Sequence, residues 1–219
     1  MGGIYNVLGD YENALHYLFK SYQIYQDKFG ENSLEISSLY NNIAMVYKSK
    51  KEYDKAIGYF EKAIYIGKEY LGANHPEIGM TYNNIGVAYD EKGDLGNAME
   101  NYVKALNVVQ NSLGNHHPRV AIILNNIASI YYQEKDCEKS IVFMLKALVI
   151  EENVYGNNHP DVAISYANIS AIYYEIKDYG NALEYALKAL NIFKEKLGKD
   201  HPNVEILSEK VEELELLVR

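Results

Sequence analysis

HPEIGMTYNNIGVAYDEKGDLGNAMENYVKALNVVQNSLG, residues 75–114, recurs down the chain with a period of 42. HPRVAIILNNIASIYYQEKDCEKSIVFMLKALVIEENVYG follows at 117–156 and HPDVAISYANISAIYYEIKDYGNALEYALKALNIFKEKLG at 159–198. A looser copy, SLEISSLYNNIAMVYKSKKEYDKAIGYFEKAIYIGKEYLG, occupies 33–72. A period of this length marks a solenoid or array, because one such unit cannot bury its apolar surface alone.

Within the unit, Pro76 suits a first helical position, where its missing N–H costs nothing. Met80, Tyr82, Ile85, Val87 and Tyr89 include apolar residues at spacings of three and four, which predicts a helix over Pro76–Lys92. Gly93 and Asp94 break the pattern. A second helix is predicted from about Leu95 to Ser112, with Ala98, Tyr102, Ala105, Leu106 and Val109 inward and Gly114 closing it. Small residues recur where two helices must approach: Ala44, Gly86, Ala128 and Ser170 in the first helix; Ala56, Ala98, Ser140 and Ala182 in the second; then Ala63, Ala105, Ala147 and Ala189. Ile43, Ile85, Ile127 and Ile169, with Tyr47, Tyr89, Tyr131 and Tyr173, fill the space around them.

This order of small, aromatic and small residues resembles the tetratricopeptide repeat, whose common form has a period of about 34 residues. The longer period, the Asn-Asn-Ile-Ala core and the Leu-Gly-x-x-His-Pro loop resemble the variant of kinesin light chain and nephrocystin-3-like proteins. The resemblance spans essentially the whole chain. It implies an all-α, right-handed superhelical solenoid of antiparallel helix pairs. Residues 1–219 then form a single array: a partial repeat at 1–30, full repeats at 33–72, 75–114, 117–156 and 159–198, and a capping helix at 201–219. Eleven helices and no strands are expected.

Ile4 and Tyr5 align with Val46 and Tyr47, so Met1 falls in the middle of a first helix, as expected of a fragment of a longer array. Residues 11–28 then lack part of a covering partner, which predicts an adhesive N-terminal edge and a homo-oligomer through it. At the other end Val204, Leu207, Val211, Leu214 and Val218 form a narrow apolar stripe, and Glu212 stands where the repeats place a small residue. Packing a further helix there would bury a charge.

Composition narrows the function. The chain has 219 residues, 48% of them hydrophobic, with 21 basic and 30 acidic side chains and a net charge of −9. That balance argues against nucleic acid, which needs a basic stripe, and favours neutral or basic partners. The 22 tyrosines mostly recur with the repeat, so packing explains them. The lone Cys137 excludes an intrachain disulfide and reads as a small apolar filler. There is no export signal and no apolar run long enough to span a membrane, so a cytoplasmic location is expected. The Asn168-Ile169-Ser170 sequon lies inside a predicted helix and reads as unglycosylated.

His75, His117, His159 and His201 recur once per repeat. Packed helices lie roughly 8–10 Å apart and zinc–nitrogen bonds are about 2 Å, so these side chains cannot share an ion. They read as loop and N-cap residues before proline. No nucleophile–base pair, catalytic carboxylate pair or phosphate loop is present; neither an enzyme, a metal site nor a cofactor is implied.

The asparagines carry the functional signal. Asn42, Asn84, Asn126 and Asn168 recur mid-helix, preceded in three repeats by Asn41, Asn83 and Asn125. Asparagine is a poor helix former. Either its amides lock neighbouring helices together, or they hold a peptide backbone, since the amide both donates and accepts. For the first Asn of each pair both readings stand. The resemblance implies that first helices line a concave face and that the second Asn clamps peptide main chain. Helical spacing extends this stripe through Met45, Met80, Val87, Ile122, Ser129 and Ile164, flanked by Lys48, Asp90, Tyr132 and Tyr174. With so little basic charge, a clamp for a C-terminal carboxylate is not expected. The sequence thus predicts a non-enzymatic scaffold binding a protein or peptide segment, and neither nucleic acid nor membrane. The alternatives are a self-associating structural array and a regulatory or sensory region of a larger signalling protein.

Overall fold

The computed structural model describes residues 9–219, and every regular element among them is an α-helix. In chain order these are α1 (Tyr11–Phe29), α2 (Leu34–Ser49), α3 (Tyr53–Leu71), α4 (Pro76–Lys92), α5 (Leu95–Leu113), α6 (Pro118–Gln133), α7 (Cys137–Tyr155), α8 (Pro160–Glu175), α9 (Tyr179–Leu197) and α10 (Pro202–Val218). Ten of the eleven expected helices are thereby accounted for, and the partial first one, containing Ile4 and Tyr5, lies outside the described residues. The chain divides into two compact units, Met1–Asn115 and His116–Arg219. In each unit every described helix packs against the next along the chain. No helix among the described residues is long and apolar enough to cross a membrane.

The helix ends follow from capping chemistry. His75, His117, His159 and His201 precede the proline that opens α4, α6, α8 and α10, and each uses Nδ1 to accept the backbone N–H two residues on, at 3.1–3.3 Å. This satisfies a donor that has no partner inside the helix. Asp10, Asp94, Asp136 and Asp178 do the same for α1, α5, α7 and α9, accepting from the third residue beyond. The turn inside each helix pair needs one residue in the left-handed region. Gly93 supplies it in one repeat, but Lys51, Lys135 and Lys177 adopt φ of 61–66° in the others.

Packing depends on the small-residue positions. The hydroxyls of Ser140 and Ser170 donate to the carbonyls of Ala128 and Ala182 at 2.8 and 2.7 Å, which requires the paired helices to touch. In three of the four repeats a small residue is matched by a large one across the pair. By register, Ala44 is matched with Phe60, Gly86 with Tyr102, Ala128 with Met144 and Ser170 with Ala186. The largest partner therefore faces the residue with no side chain. A methyl on Gly86 would meet the Tyr102 ring at 2.5 Å, and that ring is fully buried.

Tyrosine enrichment has a packing cause too. Tyr47 stacks on Tyr59, Tyr131 on Phe143 and Tyr173 on Tyr185, with centroids 5.4–5.7 Å apart. A lysine column, Lys62, Lys146 and Lys188, covers the outer faces of Tyr59, Phe143 and Tyr185. In the second unit, Val204, Val211 and Leu214 of α10 join the core built by α7, α8 and α9, while Glu212 stays exposed.

The Gly86–Tyr102 pairing gives a stability test. Gly86→Ala gains about 1 kcal/mol in helix propensity, but overpacking a close contact costs about 1–3 kcal/mol. We expect a net loss of about 1 kcal/mol in thermal unfolding followed by circular dichroism. The double variant G86A/Y102M copies the Ala128–Met144 pairing and should recover the loss; a stabilised single variant would refute the compensation.

Candidate functional site

The helix pitch turns the two asparagines of each pair to different surroundings. Asn42 and Asn168 are exposed and Asn84 and Asn126 half-buried, whereas Asn83 is buried and Asn41 and Asn125 half-buried. Two of the first asparagines connect helices. In the first unit, Asn41 donates weakly to the Ser37 carbonyl (3.5 Å) and its Oδ1 accepts from the Thr81 hydroxyl of α4 at 3.2 Å. In the second unit, Asn125 of α6 donates to Glu151 of α7 at 2.9 Å, and the other Glu151 oxygen accepts from Ser165 of α8 at 2.5 Å.

These two arrangements occupy the same register, two periods apart. Asn41 corresponds to Asn125, Thr81 to Ser165 and Gly67 to Glu151. Where Gly67 stands, a Cβ would meet Ile78 Cδ1 at 2.7 Å, so Ile78 fills the place of a side chain. The counterpart of Ile78 is Val162, which has no δ methyl. Consequently α2 and α4 meet directly through Asn41 and Thr81. Between α6 and α8 a carboxylate intervenes.

A groove of about 730 Å³ lies between α6 and α8, floored by α7. That is within the size range of ligand sites, roughly 300–1,000 Å³. It gathers Ile122, Asn125, Asn126, Ser129 and Tyr132 from α6 with Ile164 and Asn168 from α8. Ile122 and Ile164 are 49% and 48% exposed. At the far end the Tyr132 hydroxyl bonds Glu175, which pushes the phenol up from its ordinary range.

The other expected site residues have separate settings. In the first unit Met45 packs against the core formed by Phe60, Ile64 and Ile85, Lys48 is ion-paired with Glu91 at 3.3 Å, and Met80, Val87 and Asp90 are half-buried. In the second unit Tyr174 donates to Glu213, and Lys210 sits 3.1 Å from its ring centroid. The Tyr174 hydroxyl and the Lys210 ammonium, which also donates to Glu213 at 2.9 Å, hold the Glu213 carboxyl below the usual carboxylate range.

Sequence reasoning followed the first helices and missed the floor: Met144, Glu151, Val154 and Tyr155. A signal for Glu151 existed. Its column down the repeats reads Gly67, Val109, Glu151, Phe193, and the other three are buried. A charge in such a column needs polar partners. Replacing Glu151 with Ala removes the acceptor that Asn125 and Ser165 share and should cost about 1 kcal/mol in urea denaturation. Glu151→Gln, which keeps one acceptor, should cost less. Equal stability of E151A and the parent chain would show that the bridge contributes nothing.

The family model described as tetratricopeptide repeat matches at residues 1–64, 35–111, 91–148 and 119–195. No curated protein sequence matches the chain. Among solved structures, BtubC (BKLC) from P. vanneervenii superposes with a TM-score of 0.79 at 22% identity, covering 92% of this chain and 80% of that one. A putative kinesin light chain from Podospora anserina with nearly identical repeats gives a TM-score of 0.74 at 16% identity, covering 90% of this chain and 92% of that one. A signal transduction ATPase with numerous domains from Pyrococcus horikoshii, bearing a tetratricopeptide repeat sensor, gives 0.78 at 21% identity; 99% of this chain matches 32% of that protein. The all-helical fold is that of these repeat solenoids, with kinesin light chain-like proteins among its structural neighbours.

Proposed function

Because the chain belongs to the tetratricopeptide repeat family, we propose that it is a non-enzymatic scaffold whose second unit binds a peptide segment in the groove between α6 and α8. Proteins of this family are in general interaction scaffolds that bind protein partners, and their fold is in general non-catalytic. The observation that carries the reading is the groove itself. Exposed isoleucines line both walls beside Asn126 and Asn168, whose amides can donate to and accept from a peptide backbone. From Pro118 to Tyr132 the α6 wall is about 21 Å long, enough for about six residues of extended chain. Affinity of such a segment would be micromolar, about −8 kcal/mol. A cytoplasmic setting fits a chain that cannot form an internal disulfide.

The test replaces Asn126 and Asn168 together with Ala and measures peptides recovered from a displayed library. Losing two neutral hydrogen bonds of about 0.5–1.5 kcal/mol each should weaken binding by roughly ten-fold and lower the melting temperature only slightly. A large fall in melting temperature with unchanged affinity would remove these asparagines from the site. A second reading, self-association, is supported by Phe19, Ile24, Tyr25 and Phe29, which are exposed on α1. Light scattering decides it: a monomer at high concentration removes this reading.

A further inference from the structure

We infer that the groove between α6 and α8 selects segments in which a lysine or arginine is flanked by apolar side chains, and that Glu151 reads the positive charge. The inference rests on the peptide-groove reading above. Among the described residues no Lys, Arg or His lines the groove, while two carboxylates, Glu151 and Asp161, do. Charge complementarity therefore favours a cation and rejects an acidic segment.

Glu151 is set up for this role. It projects from α7 at the floor, half-buried, in a column that is otherwise apolar. Asn125 holds one oxygen from one wall and Ser165 the other from the opposite wall. Both partners are neutral, so the charge is oriented without being cancelled. An ionised carboxylate has about four lone-pair sites, and these two bonds use one on each oxygen. A guanidinium or ammonium entering the groove would meet an acceptor already fixed in place, so little ordering is lost on binding. The apolar preference on either side comes from Ile122, Ile164 and Val154, each 44–49% exposed around this carboxylate.

The experiment selects a phage-displayed random peptide library on the intact 219-residue chain and measures the recovered peptides by fluorescence anisotropy. The expected consensus carries Lys or Arg between apolar residues. Replacing that base with Gln in the synthetic peptide should weaken binding about ten-fold, as should E151Q in the protein, and the two losses should not add. I122D/I164D should abolish binding of every selected peptide. Peptides that lack a base, or contain an acidic residue in its place, yet still depend on Ile122 and Ile164, would overturn this inference and leave the groove reading standing. Binding that survives I122D/I164D, or a library that enriches nothing, would overturn both. If E151Q does not fold, the Lys-to-Gln peptide on the unaltered chain decides alone: no loss of affinity refutes the role of the charge.

Discussion

The rest of the structure depends on the close approach of two paired helices at the residue position held by Ala44, Gly86, Ala128 and Ser170. A helix pair with apolar surface on both sides is unstable alone and gains its stability by stacking. Stacking needs each pair to be thin, and thinness is set at this position. The serine hydroxyls that reach a carbonyl on the adjoining helix are possible only at that separation. In three repeats a small residue here is matched by a large one on the second helix, Gly86 by Tyr102 most extremely, while Ser170 instead bonds the Ala182 carbonyl. Tyrosine stacks and the lysines over them fill the periphery left by this close approach.

Much of the architecture was legible because repetition removes ambiguity. A single apolar run can be read as helix or strand, but a register repeated every 42 residues, with His-Pro opening three of the four full repeats and Gly closing each, has one reading. The predicted Pro76–Lys92 helix has those bounds in the structure, and the second helix of that repeat ends at Leu113, one residue later than expected. The histidine series illustrates how geometry decides between readings: the spacing of stacked helices removes a shared ion, and the observed Nδ1 contacts supply the N-cap.

The candidate site was legible in part. The stripe through Ile122, Asn126, Ser129, Tyr132, Ile164 and Asn168 follows from helical spacing, and these residues share a wall or face one another. Two things required coordinates. One was the division of labour within the Asn pairs, since i and i+1 differ by about 100° around the axis and only packing tells which side is inward. The other was the floor. Glu151 lies on a second helix, and its role depends on Asn125 and Ser165, which are far from it in sequence. Tyr174 repeats the register of Tyr132 and the same pattern of engagement: Glu175 bonds the Tyr132 hydroxyl, and Glu213 and Lys210 of α10 engage Tyr174.

The exchange of Gly67 and Ile78 for Glu151 and Val162 bears on how such chains diversify. A glycine codon becomes a glutamate codon by one base change, and an isoleucine codon becomes a valine codon by another. Neither alters the 42-residue period or touches the small positions where paired helices meet. Gene duplication followed by two point mutations therefore suffices to exchange the Gly67–Ile78 contact for a carboxylate at the same register. The scaffold and the niche it offers evolve on separate residues, so one can drift while the other is held by folding.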